Sequence, residues 1–113
     1  MRLEERIEGE VAILSLNGDL LDENDGLEVE QKLHSLLVDG IKKIVFDVRS
    51  LHQVNENGLE TLMNAIRTIR GKGGDIRLAR VDSQIDNIFV KTRLVRIFRT
   101  YETVGRALAS FIV

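Results

Sequence analysis

The segment that most constrains the fold is Lys43-Ile44-Val45-Phe46-Asp47-Val48, followed after a short polar connection by Val54-Asn55-Glu56-Asn57-Gly58-Leu59. A β-branched apolar run of this kind predicts a buried strand. Leu59, Leu62, Met63, Ile66 and Ile69 then recur at helical spacing and predict an amphipathic helix from about Asn57 to Arg70. A buried strand feeding a helix through a few residues is the unit of an α/β sheet. Asn55, Glu56 and Asn57 occupy the junction. Unpaired N–H groups and partial positive charge at a helix start favour short polar and acidic side chains there, and would favour a phosphate equally.

The rest of the chain extends this pattern. Residues 11–17 alternate around Val11, Ile13, Leu14 and Leu16 and predict a strand, paired with residues 2–7 across Glu8-Gly9-Glu10. From Glu23 to about Val38 the spacing of Leu27, Leu33, Leu36 and Leu37 is helical, and Asp39-Gly40 supplies a stop. The glycines of Gly71-Lys72-Gly73-Gly74 follow a helix and lack a G-K-[ST] sequence, so they read as a C-cap and tight return to a strand at 75–80, not as a phosphate cradle. A short helix over Ser83–Val90 with Ser83 as N-cap, a strand at 95–99 and a helix over 102–111 complete the chain. The expectation is one domain over residues 1–113, an α/β fold in which a single small mixed β-sheet carries helices packed on it.

Composition excludes several function classes. No cysteine is present, which removes disulfides, thiolate metal sites and thiol catalysis. No apolar run approaches the ~20 residues of a membrane span, and Met1-Arg2-Leu3-Glu4-Glu5-Arg6 does not resemble a signal peptide, so the cytoplasm is the expected location. His34 and His52 show no ligand spacing, His34 reading as a helical surface residue and His52 as a hydrogen-bonded loop residue. No G-x-S-x-G or Ser-His-Asp spacing is present, and Asp22, Glu23 and Asp25 read as a solvated acidic face. The sequence therefore assigns no catalytic residue, metal ligand or cofactor, and the expectation is a binding module, not an enzyme.

Charge is unevenly distributed. Residues 1–30 hold ten acidic and two basic side chains, whereas residues 61–113 hold ten basic and four acidic ones, within a net charge of −2. The domain is dipolar if these parts stay apart in space, and unremarkable if a compact fold interleaves them. Lys91, Arg93, Arg96 and Arg99 lie close together, but overall acidity and the scarcity of aromatic residues argue against direct nucleic-acid binding.

The segment Asp47–Leu59 is similar, without gaps, to the pattern D-L-S-x-V-x-x-[IM]-D-S-S-G-L of STAS domains of the anti-sigma-factor-antagonist type, with Asp47, Leu51, Val54, Gly58 and Leu59 in register. Val11–Gly18, Asn24, Gly74–Ala79, Thr92–Phe98 and Tyr101–Leu108 resemble other parts of that family, and Leu21 stands where the family usually has Asp. Asn55-Glu56-Asn57 replaces the family's Asp-Ser-Ser, which puts Glu56 at the phosphorylated Ser position. The resemblance implies a STAS-like fold and a protein partner, an anti-sigma factor that is also a serine kinase, whose capture frees a sigma factor for transcription. In the family, phosphorylation of that Ser prevents binding and a phosphatase restores it.

Carried over by position, the partner-binding residues would be Leu21, Asp22, Asn55, Glu56, Asn57, Gly58 and Thr61. None of residues 55–57 carries a hydroxyl, and Ser50 and Thr61 are the nearest alternatives. Glu56 either fixes a phosphorylated-like state, suits a partner that requires it, or only starts the helix. An alternative role is an accessory or scaffold subunit of a transport ATPase or stress-signalling complex, and a homodimer is left open. Leu59 is expected in the core, and Gly58→Ala is expected to be nearly neutral for folding if the Gly58 φ is negative.

Overall fold

The computed structural model describes residues 1–112, apart from the side chain of Val95. In chain order the elements are β1 (Arg2–Glu8), β2 (Val11–Leu20), α1 (Glu23–Val38), β3 (Lys43–Asp47), β4 (Leu51–Val54), α2 (Glu56–Gly71), β5 (Asp75–Ala79), α3 (Ser83–Lys91), a 3₁₀ turn (Leu94–Arg96), β6 (Arg99–Tyr101) and α4 (Val104–Ala109). The strands form one mixed sheet in the order β1-β2-β3-β5-β6, with β4 paired to the far end of β2. β1 and β2 are an antiparallel hairpin, and every other pairing is parallel. Parallel neighbours require crossovers, which α1, α2 and α3 provide.

The central strand reads as its sequence predicts. Ile44, Val45 and Phe46 are all fully buried because the sheet is covered on both faces there. Leu14, Ile44, Phe46 and Leu78 meet Leu33 and Leu36 of α1, Leu62, Ile66 and Ile69 of α2, and Ile85 and Phe89 of α3. On the opposite face Val11, Ile13, Val45 and Ala79 pack under Ala107 of α4, with Phe111 beside them. Behind α2 the chain returns through Gly74, where an added Cβ would lie 2.1 Å from the Lys42 carbonyl oxygen, so no side chain fits.

Several expected boundaries move, each for a local reason. Asp82, not Ser83, caps α3, its carboxylate accepting from the Ile85 N–H at 2.9 Å. The expected strand at 95–99 is a 3₁₀ turn, and strand pairing starts only at Arg99. Leu94 and Phe98 are buried four residues apart, a helical-turn spacing, with the Phe98 ring 4.9 Å from that of Phe89. Thr103 caps α4, so this helix spans Val104–Ala109 instead of 102–111. β2 continues past 17 to Leu20, and α2 begins at Glu56. Residues 51–54, read as connection, form β4, with Leu51 fully buried.

Among the described residues, no helix is long and apolar enough to cross a membrane.

Candidate functional site

The pairing of Gly18, Asp19 and Leu20 with Leu51, Gln53 and Val54 brings the end of β2 beside the end of β4. Both strands lead into helices here, so the starts of α1 and α2 lie side by side. The seven residues expected at the partner surface therefore come together, in different structural situations.

Asn55, Asn57 and Leu21 form a clamp. The Asn55 side-chain oxygen accepts from the Gly58 N–H at 3.0 Å, capping α2. Its amide Nδ2 donates to the Leu21 carbonyl at 2.9 Å, and Asn57 Nδ2 donates to the same oxygen at 3.3 Å. One backbone carbonyl thus ties the start of α1 to that of α2. An Asp at position 55 could cap but, when ionised, could not donate.

Asp22 caps α1 in a reciprocal box with Asp25. Asp22 Oδ1 accepts from the Asp25 N–H at 2.9 Å, while Asp25 Oδ2 accepts from the N–H groups of Leu21 at 3.1 Å and Asp22 at 3.4 Å. The Leu21 N–H above all holds the Asp25 carboxyl below its ordinary pKa; partial burial opposes this, and the Asp22 N–H and the Met1 ammonium reinforce it. Thr61 is half-buried, its hydroxyl donating to the Asn57 carbonyl at 3.1 Å.

Gly58 is where the sequence expectation fails. A Cβ at this position would stand 2.1 Å from the Leu20 carbonyl oxygen and 2.9 Å from Val54 Cγ1. The Gly58 φ lies outside the left-handed range, as anticipated, yet the approach of β2 leaves no room for a methyl group, so Gly58→Ala cannot be neutral. Leu59 is buried, as expected.

Glu56 differs from its neighbours. It is exposed at the first position of α2, and among the described residues its carboxylate makes no hydrogen bond or ion pair. The helix start stabilises its charge without engaging it.

Beyond the expected residues, a groove of about 320 Å³ runs between α1 and α2, lined in part by Asp22, Glu23, Leu27 and Glu30 on one side and Asn57, Glu60, Thr61 and Asn64 on the other. Its mouth carries four carboxylates and no basic side chain. The sequence reading gives none of Glu23, Leu27, Glu30 and Glu60 a site role: Glu23 reads as part of a solvated acidic face and Leu27 as part of the helical stripe. Helical phase offered the clue, since Glu23, Leu27 and Glu30, like Glu60 and Asn64, recur at three- and four-residue spacing on one helix face.

A second polar centre lies at the far ends of β3 and β5. Asp47, 6% exposed, receives a bidentate guanidinium from Arg80, with Arg80 Nε donating to Oδ1 at 2.9 Å and Nη2 donating to Oδ2. The Arg49 N–H donates to the same carboxylate at 3.3 Å. Asp47, the first residue of the STAS-like pattern, thus fixes the turn out of β3 and binds β5 to it. His34 is exposed on α1 and His52 is exposed on β4, so His52 is not the loop residue expected. No group of three His, Cys, Asp or Glu side chains among the described residues could hold a metal ion.

A mixed sheet with helices on both faces, with the polar starts of α1 and α2 side by side at one end, defines a small α/β domain. Residues 2–107 match the STAS domain family, and the chain belongs to it. A Thermotoga neapolitana protein classed as a candidate anti-sigma factor antagonist, a homologue of TM1081, is 25% identical over 103 residues, 91% of each chain. The crystal structure of TM1081 from Thermotoga maritima, itself a candidate anti-sigma factor antagonist, superposes with a TM-score of 0.87 at 24% identity, covering 96% of this chain and 92% of that one. The STAS domain of a SulP transporter from Vibrio cholerae shares the fold, with a TM-score of 0.75 at 16% identity over 95% of this chain and 84% of that one.

Proposed function

We propose that this chain is a non-catalytic interaction domain that binds an anti-sigma factor of the serine-kinase type through the adjoining starts of α1 and α2, and so regulates sigma-factor-dependent transcription. The observation that carries the reading is the division of labour at residues 55–57. Asn55 and Asn57 both donate to the Leu21 carbonyl, while Glu56, which the sequence resemblance aligns with the family's phosphoacceptor, is exposed and makes no hydrogen bond among the described residues. The likeness to the candidate Thermotoga anti-sigma factor antagonists supports an antagonist over a transporter-attached role.

In this reading Glu56 supplies a permanent negative charge where the family has a switchable one. A carboxylate carries one charge, a phosphate about −1.5 to −2, so the charge is a partial mimic. The partner surface around it comprises Leu21, Asp22, Asn55, Asn57, Gly58 and Thr61, of which only Asp22 adds charge.

The test is calorimetric titration of the wild type and Glu56→Ser against the anti-sigma kinase of the native host. Removing a like-charge or desolvation penalty should tighten binding by about 1–3 kcal/mol. A loss of similar size would mean that the partner pairs a cation with Glu56. Affinities equal within about 0.3 kcal/mol would leave Glu56 as a helix-start residue only.

A further inference from the structure

The acidic first part of the chain and the basic last part form no ion pair with each other among the described residues of the folded molecule. The sheet order places β1, β2 and α1 at one end and β5, α3 and β6 at the other. Among the described residues no ion pair joins a side chain of residues 1–30 to one of residues 61–113; Glu5 and Glu10 pair with Lys32 and Lys43, and Asp75 pairs with Arg70 and Arg77. The two parts adjoin where Glu4 and Glu5 share a surface pocket with Arg80, away from the groove and from residues 90–99.

At the basic end, Lys91, Arg93, Arg96 and Arg99 are all exposed and make no ion pair among the described residues. Beside them Val90 is 56% exposed. At the acidic end, Glu23, Glu30 and Glu60 stand at the mouth of the α1–α2 groove, and Leu27 within it is 50% exposed. The groove mouth thus offers an exposed leucine among carboxylates, and the 91–99 stretch offers four exposed basic side chains following an exposed valine, with Asp86 one helical turn before that valine.

We propose that the mouth of the α1–α2 groove receives the 90–99 strip of a second copy of this chain. The two patches lie on different elements at opposite ends of the sheet order, so the contact is between molecules and heterologous. Each molecule keeps one free groove and one free strip, and association continues into a ring or a short filament. A net charge of only −2 provides little overall repulsion to oppose it. Glu23 and Glu60 share the groove with Asp22, Asn57 and Thr61, so a docked copy covers part of the surface assigned above to the anti-sigma factor, and self-association competes with partner binding. The proposal rests on that reading only for this competition. Self-association is measured with no partner present, so its failure leaves the partner reading standing, and the reverse also holds.

The experiment is sedimentation velocity of the purified chain across a concentration series, at about 20 mM and about 500 mM salt. At low salt the average mass should rise about twofold or more with concentration, and at high salt the chain should remain a monomer. Two variants locate the contact: Glu23→Gln/Glu30→Gln/Glu60→Gln removes the groove charge, and Lys91→Gln/Arg96→Gln/Arg99→Gln removes the strip charge. Circular dichroism melts establish that both are folded. Each alone should be monomeric at low salt, while an equimolar mixture should form a capped one-to-one pair, because the first keeps its strip and the second its groove. A wild type that is monomeric throughout, a variant that still associates alone, or a mixture that fails to pair would each overturn the proposal.

Discussion

Two residues at the site make separable predictions. Gly58 is fixed by space: the Leu20 carbonyl occupies the volume a methyl group would need. Ala gains about 1 kcal/mol of helix propensity over Gly, but forcing a carbon against a backbone carbonyl costs about 3 kcal/mol or more, so the clash wins. Urea titration should therefore find Gly58→Ala destabilised by roughly 2 kcal/mol or more; an unchanged midpoint would contradict the packing. Asp25 is fixed by charge. Its folded pKa lies below its ordinary value, so its contribution to stability is fully present above about pH 4 and is lost as the pH falls through the lower folded value. Asp25→Asn should cost about 1 kcal/mol near neutral pH, and the gap from wild type should close as the medium is acidified. A gap independent of pH would show that the carboxylate charge contributes nothing.

At the scale of elements, what the sequence made legible follows burial. β3 and α2 were readable because each carries its own pattern, a continuous apolar run and a helical stripe. β4 was not, because Leu51-His52-Gln53-Val54 is short and only Leu51 is buried, so its strand character comes from pairing with β2 and not from composition. The segment around Val95–Phe98 misled for the opposite reason. Its β-branched and aromatic residues suggest a strand, whereas tertiary packing uses Leu94 and Phe98 as two pegs of a single turn beneath α3. Phe98→Ala should consequently cost about 3–5 kcal/mol by thermal or denaturant melting, with the loss of the Phe89 contact. A small effect would restore the reading of this stretch as a peripheral strand. The seven residues of the candidate site were named from the family resemblance, which did not give the contacts they make in this fold. That Asn55 and Asn57 share a carbonyl with each other, leaving Glu56 unengaged, depends on a contact between residues 34 and 36 positions apart.

At the scale of the whole molecule, the order of the strands has a kinetic meaning. The β1–β2 hairpin is local and can form early, but β2 gains its parallel neighbours β3 and β4 only after long loops have closed, which is the slow kind of pairing. The clamp on Leu21 exists only once β4 has docked against the end of β2. A chain emerging from the ribosome would thus possess its hairpin and α1 well before the starts of α1 and α2 were joined. The two bonds to the Leu21 carbonyl are among the last contacts the fold can make, closing only when the central half of the sheet is in place.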